Sequence, residues 1–231
     1  MDAYWNGPLP EPKVRTMDEI RGVLADPGCR DTRSSLYLMY RACARTDEDR
    51  DWLIRHDLRF DITVIPPAVI CGEYVKTKGH YHPVSPDGTE YPELYEVLGG
   101  RGIYLLQTRN LADIVAVEAK KGDIILVPPG YGHVTINPAD ENFVMANIVS
   151  TRFLSDYGPY ETKRGAAYYY MQSGWKKNPA YSGLPPLRFR TAPPAASLSL
   201  CDGGIYGLIG RDDILACLNH PARGFPDFSV I

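Results

Sequence analysis

The chain predicts an all-β fold, a closed antiparallel barrel or sandwich, from Ser35 onward. Two observations predict it. Short apolar or alternating runs recur through the middle of the chain, the texture of half-buried strands. Turn signals separate them: Gly99-Gly100-Arg101-Gly102, Lys121-Gly122-Asp123 and Pro128-Pro129-Gly130. Strands this short and evenly spaced pair antiparallel, because each turn is too short for a crossover.

In chain order, residues 1–34 are rich in proline and charge and form an N-terminal arm. Within it, residues 16–24 carry an N-cap candidate, Thr16, and helical apolar spacing, so a short helix is expected. Strands are expected near 35–43, 59–66, 72–76, 79–82, 93–98, 102–107, 113–118, 124–127, 133–136 and 142–149. After Tyr170 the pattern weakens, and Pro185-Pro186 and Pro193-Pro194 mark loop or arm segments. A final helix is expected around 211–219, with Asp212 near its start. The expected layout is an arm at 1–34, a barrel at 35–165 and a C-terminal extension at 166–231 packed on the barrel.

With 231 residues and 44% hydrophobic content, the chain can bury one large core. A net charge of -3 leaves no basic field for nucleic-acid phosphates, which excludes that partner class but not a small anion in a locally positive pocket. The start Met1-Asp2-Ala3-Tyr4-Trp5 lacks a signal-peptide pattern, and no apolar run approaches the ~18 residues of a membrane span, so a cytoplasmic, membrane-free protein is expected. Five cysteines, an odd number without a CxxC pair, read as reduced thiols.

Chemistry concentrates in two motifs. In Lys78-Gly79-His80-Tyr81-His82, strand alternation aims His80 and His82 at one point. Imidazole is the commonest metal ligand in proteins. A hairpin across the 83–89 loop would bring a glutamate of the next strand alongside; Glu93 is the candidate, with Glu90 in the loop and Glu96 on the opposite strand face as rivals. The second motif runs Gly122-Asp123-Ile124-Ile125-Leu126-Val127-Pro128-Pro129-Gly130-Tyr131-Gly132-His133 and on to Asn137. Its turn and strand breakers return His133 toward the interior. Three imidazoles and a carboxylate suit one divalent ion, Fe2+ first, with Mn2+, Ni2+ or Zn2+ as alternatives, and leave coordination positions open for substrate.

These motifs resemble the two cupin motifs. Thr77-Lys78-Gly79-His80-Tyr81-His82, residues 93–102, Leu105-Leu106-Gln107-Thr108, Val127-Pro128-Pro129 with His133, and Asp156-Tyr157-Gly158 resemble more specifically the cupin-type glucose-6-phosphate isomerases of archaea and some bacteria, over roughly residues 35–165. The resemblance implies a cupin jelly-roll barrel, a homodimer, and metal ligation by His80, His82, Glu93 and His133. It implies a phosphosugar substrate whose phosphate meets Tyr37, Thr63, Thr77, Gly79 and Tyr157, with Lys78 adding charge; hydroxyls and backbone N–H groups are the donors a phosphate needs. The sequence departs from the family at Val149, where the family carries tyrosine, and at Ser155, where it carries histidine.

The implied reaction interconverts glucose 6-phosphate and fructose 6-phosphate through a cis-enediolate whose charge a Lewis acid stabilises, with Glu93 as proton carrier and Tyr95 orienting substrate or Glu93, or else through a hydride shift. Two other classes fit the metal motif: an iron-dependent cupin dioxygenase, which needs an apolar pocket, and a non-catalytic sugar-binding cupin. Mannose 6-phosphate is an alternative substrate within the same chemistry.

Overall fold

The computed structural model describes residues 1, 3–195 and 203–224. The arm opens with β1 (Lys13–Arg15) and the one-turn helix α1 (Met17–Ile20), continued as a 3₁₀ turn over Arg21–Val23. Glu19 reaches back to the Thr16 backbone N–H at 2.9 Å, so the expected helix start holds. Then come β2 (Tyr37–Tyr40), α2 (Asp47–Arg55), β3 (Leu58–Ile65), β4 (Val69–Ile70) and β5 (Glu73–Tyr74). The central strands are β6 (Glu93–Gly99), β7 (Arg101–Thr108), β8 (Ile114–Lys120), β9 (Ile124–Val127), β10 (Tyr131–Ile136) and β11 (Phe143–Ser150). Next are α3 (Gly158–Thr162), β12 (Tyr168–Met171), β13 (Gly174–Lys177) and β14 (Arg188–Thr191), then α4 (Asp212–Leu215) between 3₁₀ turns.

Two sheets face each other. The larger runs β1-β2-β3-β11-β6-β9; the second runs β10-β7-β8-β14, with β14 parallel to β8. A third, small sheet, β13-β12-β5-β4, flanks them. This is the all-β barrel expected, and the tight β6–β7 turn falls at Gly100, where φ is +73° and an added Cβ would sit 2.3 Å from the Asn142 carbonyl oxygen.

Alternation divides the large sheet between two cores. Ile65, Tyr95, Val97, Ile125, Phe143 and Met145 point between the sheets. Leu58, Phe60, Ile62, Val64, Ala146 and Ile148 point outward, where Trp5, Leu53 of α2, and Tyr206 and Leu218 of the C-terminal segment cover them. A third cluster, with Tyr81, Leu105, Ile114 and Tyr160, backs the second sheet. Each fully buried side chain of this size contributes about 1.5–3 kcal/mol, so the outer layers carry much of the stability.

Three sequence expectations need correction. Residues 79–82 form no regular strand and do not pair with β6; the hairpin expected across the 83–89 loop is limited to the bridge of Val84 with Glu90. The segment runs instead beside β10, bridged at His80 to His133; just before it Lys76 bridges Ile136, the Thr77 N–H donates to the Thr135 carbonyl and the Asn137 N–H to the Val75 carbonyl. Cys29 and Cys71 are not reduced thiols but a disulfide joining the arm to the β4–β5 turn; Cys43 and Cys217 are free and buried, and Cys201 lies outside the described residues. The weakly patterned C-terminal region contributes three strands, β12, β13 and β14, that are too short to show periodicity. Helix α2 was also missed, although Thr46 caps it by accepting the Asp49 N–H at 3.1 Å and acids fill its first turn.

Candidate metal centre and its cavity

Three adjacent strands of the large sheet, β3, β11 and β6, set the cavity wall in register. Arg59, Val149 and Glu93 are cross-strand partners in one row; Asp61, Asn147 and Tyr95 form the next; Thr63, Met145 and Val97 the third. These residues share a face because partners directly across strands point the same way. The opposite sheet supplies the imidazoles: His133 from β10, His80 and His82 from the segment beside it. The site therefore lies between the sheets.

One ligand-capable atom from each of His80, His82, Glu93 and His133 lies within 4.8 Å of all the others. Glu93 Oε2 is 3.4 Å from both His82 Nε2 and His133 Nε2, and the Nε2 atoms of His80 and His82 are 3.3 Å apart. Metal–ligand bonds of about 2.1 Å put neighbouring ligands of one ion roughly 3.0–3.4 Å apart. Glu93 Oε2 is buried without a hydrogen-bond donor among the described residues, although a buried carboxylate oxygen demands one. A cation satisfies that demand, so the four residues fit a metal ion.

Outer contacts orient the donors. Asn147 Nδ2 donates to Glu93 Oε1 at 2.7 Å, leaving Oε2 aimed at the imidazoles. His82 Nδ1 meets the Tyr91 carbonyl at 2.8 Å, which puts the proton on Nδ1 and the lone pair on Nε2. Phe153 packs on the His82 ring, centroids 4.5 Å apart. Burial, and after it the neighbouring imidazoles, hold His80 and His133 well below the ordinary histidine pKa, which favours the neutral imidazole that a metal ion needs. Burial, then Glu93, raises the Tyr95 phenol well above its usual value; it stays protonated, 3.1 Å from His133 Nε2.

The cavity holding these groups is also lined by Arg15, Tyr37, Arg41, Arg59, Thr63, Thr77, Lys78, Val149, Ser155 and Tyr157. Of the residues the resemblance assigned to phosphate, the structure thus brings Tyr37, Thr63, Thr77, Lys78 and Tyr157 to the wall. Gly79 is not there: it packs where an added Cβ would lie 2.4 Å from Tyr160 and 2.6 Å from Val134. Tyr37 OH accepts from Arg15 Nε at 3.2 Å and from Lys78 N at 3.0 Å, tying the arm to the histidine segment. Lys78 Nζ lies 5.3 Å from the Tyr157 ring centroid and pairs with Glu161. Rivals Glu90 and Glu96 do not join the cluster; Glu96 turns outward and accepts from the Ile205 N–H.

Arg15, Arg41, Arg59, Asn147 and Phe153 were missed in the sequence. One signal was readable. In Leu58-Arg59-Phe60-Asp61-Ile62-Thr63-Val64 the polar set shares a face with Thr63, itself a candidate.

The family model for Glucose-6-phosphate isomerase (GPI) matches residues 14–183. The chain belongs to that family. Glucose-6-phosphate isomerase of Thermococcus onnurineus is 30% identical over 151 residues, covering 65% of this chain and 75% of that protein. The enzyme of the same name from Pyrococcus furiosus is 32% identical over 126 residues, covering 54% and 62%. The isomerase-family match takes in Val14 and Arg15 of β1 at one end and β12 and β13 at the other, beyond the 35–165 span read from motifs. Among solved structures, oxalate decarboxylase of Bacillus subtilis aligns at 18% identity and a TM-score of 0.37, over 51% of this chain and 26% of that one. Vicilin of Corylus avellana aligns at 14% and 0.38, over 53% and 31%; the chain spans under a third of either structure.

No helix among the described residues is long and apolar enough to cross a membrane.

Proposed function

We propose that this isomerase-family chain interconverts glucose 6-phosphate and fructose 6-phosphate with one divalent ion, Fe2+ foremost, held by His80, His82, Glu93 and His133. The observation that carries the reading is the orphaned Glu93 Oε2, 3.4 Å from two imidazole nitrogens, in a cavity lined by hydroxyls and cations. When bound, the ion supplies a Lewis acid that stabilises negative charge on the C1 and C2 oxygens of the open-chain sugar.

The chain's own residues do the rest. Tyr37, Thr63, Thr77 and Tyr157 offer hydroxyls to the phosphate, with Arg15 and Lys78 supplying charge at the same side. Tyr37 is positioned for this by its hydrogen bonds from Arg15 and Lys78 N. Gly79 serves by close packing rather than as a cavity donor. Glu93, steadied by Asn147, moves a proton between the two carbons, and protonated Tyr95 orients the reacting end. A hydride shift would leave Glu93 a ligand only; solvent deuterium in the product distinguishes the routes. The polar lining favours a phosphosugar over the apolar substrate of a dioxygenase, and catalysis over mere sugar binding follows from the paired acid and ion site. The arm at 1–34, barrel at 35–165 and extension at 166–231 are taken as one working unit, as a homodimer in the cytoplasm.

The test is a coupled assay of fructose 6-phosphate conversion, with mannose 6-phosphate as a second substrate, with and without chelator, then with iron, manganese, nickel or zinc restored. Activity is expected to vanish with the ion and to return with it. Full activity in an ion-free His133→Ala protein would end the proposal.

A further inference from the structure

Asp61 is fully buried in the cavity wall, yet it belongs to no function described so far. Its carboxylate accepts Arg59 Nε at 2.8 Å on both oxygens, the Ala42 N–H at 2.9 Å, and an amino group of Arg41. Two guanidiniums share one carboxylate, so the trio carries one uncompensated positive charge. Arg59 spends only its Nε on Asp61; none of the described residues accepts from its two terminal amino groups. Both arginines line the cavity, with side chains 39% and 37% exposed.

Their place in the wall is specific. Arg59 shares its row with Glu93, separated by Val149 alone, so their Cα atoms are roughly 10 Å apart and a long side chain spans most of that gap. Arg41 follows Tyr37 by four residues along the same strand direction, about 13 Å away. The trio therefore stands on the Glu93 side of the cavity, away from the Tyr37 end. A merely structural ion pair has no need of the two free amino groups that Arg59 keeps beside a cavity, and a planar guanidinium with two open N–H groups is built for an oxyanion; Arg41, whose second amino group lies 3.1 Å from Met39 Sδ, adds charge rather than an open fork.

We propose that Arg59 and Arg41, locked by Asp61, form an oxyanion subsite at the reacting end of the cavity, taking the negative charge that develops there on an open-chain sugar phosphate. This deepens the isomerase reading and rests on it for the substrate's orientation. Preorganised donors at the atoms that gain charge favour the charged state over the neutral one, so the subsite also selects ligands with a carboxylate at that end.

The test is calorimetric binding to the chelator-treated full chain, which removes the ion's own preference for carboxylates. Two ligands are compared: gluconate 6-phosphate, with a carboxylate at the reacting end, and glucitol 6-phosphate, with an uncharged hydroxymethyl there. The wild type is expected to bind the acid at least tenfold more tightly. Arg59→Gln and Arg41→Gln each lose at least fivefold of that preference while the Kd for glucitol 6-phosphate stays within twofold, and Arg59→Lys recovers part of it. Equal binding of the two ligands by the wild type overturns the subsite. So does an unchanged preference in both glutamine variants, or an equal loss of both ligands, which marks a structural role. A preserved preference in a chain without isomerase activity leaves the subsite standing and sinks only the isomerase reading.

Discussion

Replacing Asn147 with leucine removes one buried hydrogen bond beside the candidate metal centre while keeping a side chain branched at the same carbon. Asn147 is 2% exposed, and its Nδ2 lies 2.7 Å from Glu93 Oε1. A hydrogen bond to a charged group is worth about 1.5–3 kcal/mol, and its loss strands a buried carboxylate oxygen. Two effects follow. The ion-free protein loses about 2 kcal/mol, which for a chain of about 150–250 residues lowers Tm by roughly 4–8 °C. Glu93 also loses the contact that turns Oε2 toward His82 and His133. Outer contacts of this kind typically change metal affinity about 10–100-fold, or roughly 1.4–2.7 kcal/mol. Melting of the chelated protein followed by circular dichroism reads the first effect; competition for Mn2+ against a fluorescent chelator reads the second. A variant that binds Mn2+ within threefold of the wild type refutes the view that Asn147 holds Glu93 in its ligating pose.

Arg15→Gln removes a charged donor from the Tyr37 side without touching the histidines, so KM for fructose 6-phosphate is expected to rise about 10–100-fold with kcat within twofold; an unchanged KM removes Arg15 from substrate binding. The bidentate Arg188 contacts to Asp113, at 2.7 and 2.6 Å, tie β14 to the start of β8 and hold the Asp113 carboxyl below its ordinary 3.8. The folded pKa is the lower one, so the contact stabilises above that ordinary value and its contribution is lost as pH falls through the folded pKa. Asp113→Asn should therefore melt earlier than the wild type at neutral pH, with the gap closing in acid below 3.8; a gap constant across pH argues against it. Thiol titration of the unfolded, unreduced protein should find two fewer thiols than after reduction, because Cys29 and Cys71 are joined; equal counts in both states mean no such bond forms.

Much of the wall and the metal cluster was readable because both depend on local order. The runs 102–107 and 124–127 are apolar and short, and they became β7 and β9. His80 and His82 are two residues apart in extended chain, so their convergence needs no knowledge of neighbours. The inward row of β3 was harder. Arg59 and Asp61 alternate with Leu58, Phe60 and Ile62, which reads as a solvent face over a core face. In the fold the sense is reversed: the apolar row is capped by Trp5, Leu53 and Tyr206 from distant segments, and the charged row lines the cavity. Alternation reports that two faces differ but not which one turns inward.

By itself, then, the sequence determined most of the central strands, their turns, and the three histidines with a glutamate of the 90–96 stretch as their partner, since each follows from residue types at short spacing. Only the tertiary structure decided that the histidine segment lies beside β10 and faces Glu93 across the cavity. It alone joined Cys29 to Cys71, brought Arg15 to Tyr37 and set Arg59 in the row of Glu93. The physical reason is that these relations are pairings between segments far apart in the chain, chosen by which sheet edges and apolar faces can be satisfied together, and no local pattern encodes a partner.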